Sequence, residues 1–216
     1  MNIMQTIAIW AVPVLFAITL HEVAHGWAAR HYGDHTAAIM GRLSLNPIRH
    51  IDPLGTIVVP AVLIMLVGFG FGWAKPVPVN FSQLRNPKRD MIWVAAAGPA
   101  ANLVMALAWA MVMKIGLVLP MGSGWIATPL ILAGQAGIVI NLVLFLLNML
   151  PVPPLDGGRI LTGLAPARFT GILTRIEPAG MFIVFGLLAI GGLQAILYPP
   201  LRLLSSIIGG FFGIPI

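Results

Sequence analysis

Hydrophobic positions along this chain fall in long unbroken runs, not in the narrow stripes of a soluble amphipathic helix. The first extends from Ile3 to Leu20 without a charged residue, enough to enter the roughly 30 Å hydrocarbon core of a bilayer as a helix. The runs predict helices at about residues 4 to 30, 91 to 114, 131 to 150 and 179 to 197, and an apolar C-terminal segment at about 201 to 216. A shorter apolar stretch, about 54 to 72, is interrupted by Pro60, Gly68, Gly70 and Gly72. Residues 37 to 46 read as extended, followed by the turn signals Asn46-Pro47 and Asp52-Pro53. Residues 74 to 80 read as a second extended segment whose prolines forbid a central strand and suit an edge. The expected fold is an all-α polytopic membrane protein of five to six transmembrane helices, one re-entrant or bent segment and short β-strand-like loop segments, all in a single domain over 1–216.

Composition strengthens that expectation. Only 8% of the residues are charged, against roughly 25% in soluble domains. The net charge of +6 does not point to nucleic acid, because the basic residues are scattered through loops without interleaved aromatics. They report topology instead. Arg30, Arg42 and Arg49, then Lys75, Arg85, Lys88 and Arg89, then Arg159, Arg168 and Arg175 all fall on one face, whereas Ile115 to Leu130 carries no charge. By the positive-inside rule that face is cytoplasmic and the N-terminus lies outside. Basic loops on both sides of residues 54 to 72 are what make that stretch re-entrant or bent in this reading. The N-terminus has no basic n-region, so the first helix is retained rather than cleaved.

Candidate chemistry starts inside the first helix, at His21-Glu22-Val23-Ala24-His25. Residues i and i+4 share a helix face, so both imidazoles can reach one ion. Glu22, about 100° round the helix, can act on a water at that ion without ligating it. A carboxylate and two imidazoles on a membrane helix are costly, roughly 2.5 to 3.5 kcal/mol for a charged residue at the bilayer centre, and persist where they have a function. Cysteine is absent, so any metal is held by His and carboxylate. Zinc, one ion per chain, is the expected cofactor, with three protein ligands and an open fourth position. Of the six acidic residues, Asp34, Asp90 and Glu177 read as solvated. Asp52 precedes Pro53 as a turn-forming residue does, whereas Asp156 follows the stiff Pro151, Pro153, Pro154 run and precedes Gly157 and Gly158. Asp156 is the expected third ligand. His31 and His35 read as interfacial or solvated.

At these residues the chain resembles the site-2 protease family of intramembrane zinc metalloproteases. The resemblance rests on His21-Glu22-xx-His25, Gly98-Pro99-Ala100-Ala101-Asn102 and Asn148-xx-Pro151-xx-Pro154-Leu155-Asp156-Gly157-Gly158-Arg159, in family order. It implies a three-helix catalytic core within about residues 4–165, with C-terminal helices at about 178–216, zinc on His21, His25 and Asp156, and Glu22 as catalytic base. It also implies a transmembrane protein or peptide as substrate, cut near the cytoplasmic side of what is expected to be a prokaryotic cell membrane, by a compact member without a PDZ or other appended domain. Asn148 and Asn102, amides in apolar helices, are expected to contact substrate or a developing oxyanion, with interhelical bonding as the alternative use. Water is expected to reach the site past His50, Asp52 and residues 73 to 90, and segments 39 to 45 and 75 to 80 are candidate edges for an unwound substrate. Two other readings use the same residues: a metal transporter, and an inactive relative that binds membrane segments without cutting them.

Overall fold

A computed structural model of the chain describes residues 2–59, Val62, Met65, 75–120 and 123–216. Among them are seven α-helices: α1 Ile3–His31, α2 Thr36–Ile39, α3 Pro87–Val118, α4 Gly124–Asn148, α5 Asp156–Leu164, α6 Ala167–Ala189 and α7 Gly192–Phe212. Short 3-10 turns lie at Pro47–His50 and Phe81–Gln83, and a π turn at Pro53–Val58. Helices α1, α3, α4 and α7 are long and apolar enough to cross a membrane. Most of the stretch at 54 to 72 assigned a re-entrant or bent path lies outside the described residues.

Local chemistry sets the helix boundaries. Asn2 caps α1 reciprocally: its side chain accepts from the Gln5 N–H at 2.9 Å, and the Gln5 side chain accepts from the Asn2 N–H at 3.0 Å. Beyond His31 the chain turns through Gly33, whose φ of 113° favours glycine. Helix α3 opens with Pro87 in its first turn, where a missing N–H costs nothing. The continuous hydropathy from 179 onward hid a break. Gly191, at φ 74°, ends one helix and begins the next, so the predicted helix at 179 to 197 straddles α6 and α7, and the predicted C-terminal segment belongs to α7.

Helices α1, α3 and α4 pack on one another as the three-helix core. Without a hydrophobic driving force between helices in lipid, association depends on close backbone approach. At the α3–α4 crossing a Cβ on Gly134 would stand 2.7 Å from the Met113 nitrogen. Around that crossing Ala106, Ala110, Met113, Ile138 and Leu142 form a buried cluster with Ile208 and Ile214. Leu147, Val184 and Leu193 tie α6 and α7 to the end of α4.

No β-strand occurs among the described residues. Thr36–Ile39 is helical, and residues 75–80 have no regular secondary structure. Their backbone groups are engaged elsewhere: Lys75 N–H donates to the His50 carbonyl at 2.9 Å, Asn80 N–H to Asp34 at 2.7 Å, and the Lys75 carbonyl accepts from Arg42 at 3.1 Å. Asp34 is therefore not solvated. It is fully buried, and so, nearly, is Asp90, which accepts from the Asn86 N–H at 2.7 Å. Basic side chains bind the helix ends together on that side: Arg85 donates to the His31 carbonyl at 2.7 Å and Lys88 to the Ala165 carbonyl at 2.5 Å. Lys114 lies at the other end, 3.4 Å from the Gly213 carbonyl.

Candidate metal centre

Helix α1 places His21 and His25 one turn apart, and the 149–155 connection delivers Asp156 at the start of α5. This connection contains a cis Pro153-Pro154 bond. Gly157 and Gly158 seat α5 directly on its backbone, where a Cβ at Gly157 would collide with the Leu150 carbonyl. Asp156 Oδ2 consequently lies 3.3 Å from His21 Nε2 and 3.3 Å from His25 Nε2, and the two Nε2 atoms are 3.1 Å apart. All three side chains are 10–12% exposed.

The hydrogen bonds behind the rings fix their protons. His25 Nδ1 lies 2.7 Å from the Val94 carbonyl, an oxygen that can only accept, so Nδ1 donates. His21 Nδ1 lies 2.6 Å from Asn102 Oδ1. Asn102 presents oxygen there because its amide nitrogen donates to the Ala17 carbonyl at 3.2 Å and to Asn141 Oδ1 at 3.0 Å, so His21 Nδ1 donates too. With both protons on Nδ1, the Nε2 atoms carry bare lone pairs. They face each other and a carboxylate oxygen that is buried without a hydrogen-bond donor.

When both rings are neutral the three converging acceptors repel one another, and a shared cation would relieve that repulsion. The fit to zinc is good. Ligands about 2.0 to 2.1 Å from a tetrahedral ion stand about 3.3 to 3.4 Å apart, close to the observed triangle. His21, His25 and Asp156 are the one metal-capable group among the described residues.

Beside the group is a cavity of about 260 Å³ lined by Glu22, Asn148, Arg159 and the 76–81 segment among others. Glu22 Oε2 accepts from the backbone N–H of Val77 at 2.7 Å. Asn148 bonds the Leu144 carbonyl through Nδ2 at 3.0 Å. Asn102 takes the alternative, interhelical use: it is fully buried behind His21, and the neighbours just described take up its amide. Arg159 stacks over the Phe81 ring at 5.0 Å and pairs with Glu177 at 3.4 Å.

Of the expected water route, Pro76, Val77, Val79 and Phe81 do line the cavity, but His50 and Asp52 do not. His50 bonds the Ser44 carbonyl at 2.8 Å, and Asp52 caps the π turn through Leu54 and Gly55. His31 and His35 are exposed, apart from the centre. Reasoning from sequence missed four contributors: the Val94 carbonyl, the Val77 N–H, Asn141 and the emptiness at Gly98. A Cβ at Gly98 would collide with His25 Nε2 and come within 2.7 Å of His21 Cε1. Asn141 had left a signal, since it precedes Asn148 by two turns on the same apolar helix.

The chain is 40% identical over 200 residues to "Putative zinc metalloprotease YwhC" of Bacillus subtilis, a match covering 88% of this chain and 84% of that protein. Residues 123–191 match the model of Peptidase family M50. The chain belongs to Peptidase family M50. Proteins named Rip2, under the same description, are similar as well. That of Mycobacterium tuberculosis is 30% identical over 93% of this chain and 68% of its own length, and that of Mycolicibacterium smegmatis is 32% identical over 74% and 61%. No solved structure matches. The M50 match spans the Asn148 to Arg159 motif and Asp156, and together with the relatives it supports the site-2 protease family and identifies the chain as a zinc metalloendopeptidase of the membrane.

Proposed function

We propose that this M50 member hydrolyses a peptide bond in or near a transmembrane segment of a membrane-protein substrate, as in regulated intramembrane proteolysis. One observation carries the proposal: three bare acceptor atoms converge at the end of an apolar membrane helix, beside a carboxylate that lines the same cavity.

His21, His25 and Asp156 would hold the zinc, which when bound supplies Lewis acidity toward water and toward a peptide carbonyl. Glu22 accepts a proton from the attacking water and returns it to the departing amine. The Val77 N–H holds the Glu22 carboxylate in place for both transfers. Asn148 spends one N–H on the Leu144 carbonyl and keeps its second for the scissile carbonyl oxygen as charge develops there. Asn102 serves through His21 instead. An unwound substrate lies along Pro76, Val77 and Val79, which form one wall of the cavity.

The basic end of the bundle supports a cytoplasmic position for the site, with the N-terminus outside. The bacterial sources of the relatives support a prokaryotic cell membrane. A transporter would need ionisable groups spaced along a path, whereas the metal-capable residues described form one cluster.

The test is to reconstitute the full chain in lipid vesicles with a single-span substrate and map the product termini by mass spectrometry. Cleavage within or a few residues from the span, lost in Glu22→Gln, is expected. Cleavage confined to soluble peptides or distant loops would overturn the intramembrane reading.

A further inference from the structure

The Asn102 amide can face His21 in two ways, and only one leaves His21 ready to bind metal. With Oδ1 toward the ring, Nδ1 must carry the proton and Nε2 is bare. With Nδ2 toward the ring, Nδ1 must accept, the proton moves to Nε2, and the ligand atom is blocked. The choice between them is made on the far side of Asn102. There its nitrogen meets two acceptors, the Ala17 carbonyl at 3.2 Å and Asn141 Oδ1 at 3.0 Å. Asn141 is itself an amide with two faces, and its own direction is set by backbone: Nδ2 donates to the Gly137 carbonyl at 2.8 Å. Both amides are fully buried, out of reach of bulk water.

We infer that Asn141 is a positioning residue for the zinc centre, passing the fixed direction of the Gly137 carbonyl through Asn102 to the ring of His21. The chain of bonds runs from Gly137 O to Asn141, from Asn141 Oδ1 to Asn102, and from Asn102 Oδ1 to His21 Nδ1. Outer partners of metal-binding histidines set tautomer and ring orientation in this manner. Asn141 reaches the metal group only through two other side chains. The inference rests on zinc being held by His21, His25 and Asp156.

The experiment is a zinc affinity series on the full chain in detergent, by competition with a chelator, together with the visible spectrum after loading with Co²⁺. Asn141→Leu removes the acceptor. Asn141→Ser is milder, because its hydroxyl bonds back to the i−4 carbonyl, here Gly137, but is too short to reach Asn102. Either is expected to weaken zinc binding by about 10-fold and to change the Co²⁺ bands, and Asn141→Ser carries the test if Asn141→Leu does not fold. Asn102→Asp then provides the rescue. A carboxylate at 102 accepts through either oxygen, so it offers His21 an acceptor from either side and has no N–H that needs an acceptor at 141. In the Asn102→Asp background, Asn141→Leu or Asn141→Ser is expected to cost little further affinity. A role for Asn141 in packing alone predicts the same loss in both backgrounds, and that result would overturn the inference, as would native affinity in both single variants. A native chain that binds no zinc would fail earlier, taking the ligand assignment with it, whereas a native chain that binds zinc while the variants match it fails the inference alone.

Discussion

Gly98 is the residue whose importance is easiest to underrate, because it contributes no atom to the metal group. It stands against both imidazoles, and an added methyl would occupy the space of His25 Nε2. Gly98→Ala is therefore expected to weaken zinc binding by roughly 100-fold, the upper end of what outer partners of metal ligands cost, while the helices still assemble; equilibrium dialysis against buffered zinc measures it. Native-like zinc affinity in that variant would show that the rings do not need the space. The proposed ligands stood out in the sequence because each is a side chain in a recognisable spacing, His21 and His25 one turn apart and Asp156 between rigid prolines and glycines, and the structure brings the three together. What holds them was much less legible. The Val94 carbonyl that fixes the His25 proton is a backbone group, which any residue would supply and no letter marks. Asn102 was visible as a costly amide in an apolar helix, but its partner could be chosen only once α1 and α4 were seen on either side of it.

Residues 75–80 behave as a strap across the site. Val77, nearly buried, rests where Gly26 leaves a gap in α1, with a Cβ at Gly26 standing 2.8 Å from Val77 Cγ1, and its N–H grips Glu22. Val77→Pro removes that N–H while keeping an extended backbone between two existing prolines. A hydrogen bond to a charged group contributes about 1.5 to 3 kcal/mol, so turnover is expected to fall by about 10- to 100-fold with zinc content unchanged; unchanged turnover would show that Glu22 needs no such support. The far end of the strap hangs on Asp34. Burial acts to raise the pKa of this carboxyl, but the hydrogen bonds from Thr36 and from the Asn80 N–H outweigh it and hold the value below the usual carboxylate range. The stabilisation it gives is thus fully present above about pH 4, the unfolded carboxylate value, and is lost as pH falls through the lower folded value. Hydrogen exchange should show the Asn80 amide protected at pH 6 and losing protection only below about pH 4, whereas Asp34→Asn should lower protection at both. Sequence pattern, led by the prolines at 76 and 78, suggested an edge strand here, where no regular secondary structure forms. It had the pairing wrong, since carboxylates on α1 and in the loop after it claim the donors that a strand partner would use.

The whole molecule has an end rich in basic residues, where α1 stops and α3 starts, and an opposite end at the α3–α4 connection that carries Lys114. The chain has no cysteine, so single cysteines report cleanly on orientation. With an impermeant thiol reagent on intact cells, Gly124→Cys is expected to label and Ser82→Cys to label only after lysis; the reverse pattern would invert the topology. The long helices were read well from hydropathy because lipid demands unbroken apolar length. The α6–α7 break at Gly191 was not, because a single left-handed residue does not interrupt an apolar run. In the proposed reaction His21, His25 and Asp156 hold a zinc ion at which Glu22 performs hydrolysis. The most direct test of this assignment is zinc per chain measured alongside cleavage of a transmembrane peptide for the native protein, Glu22→Gln and Asp156→Ala. Expected are about one zinc per chain, as one three-ligand site allows, with cleavage in the native protein, zinc without cleavage in Glu22→Gln, and loss of both in Asp156→Ala. Folded native protein that takes up no stoichiometric zinc, or Glu22→Gln that cleaves at the native rate, would contradict it.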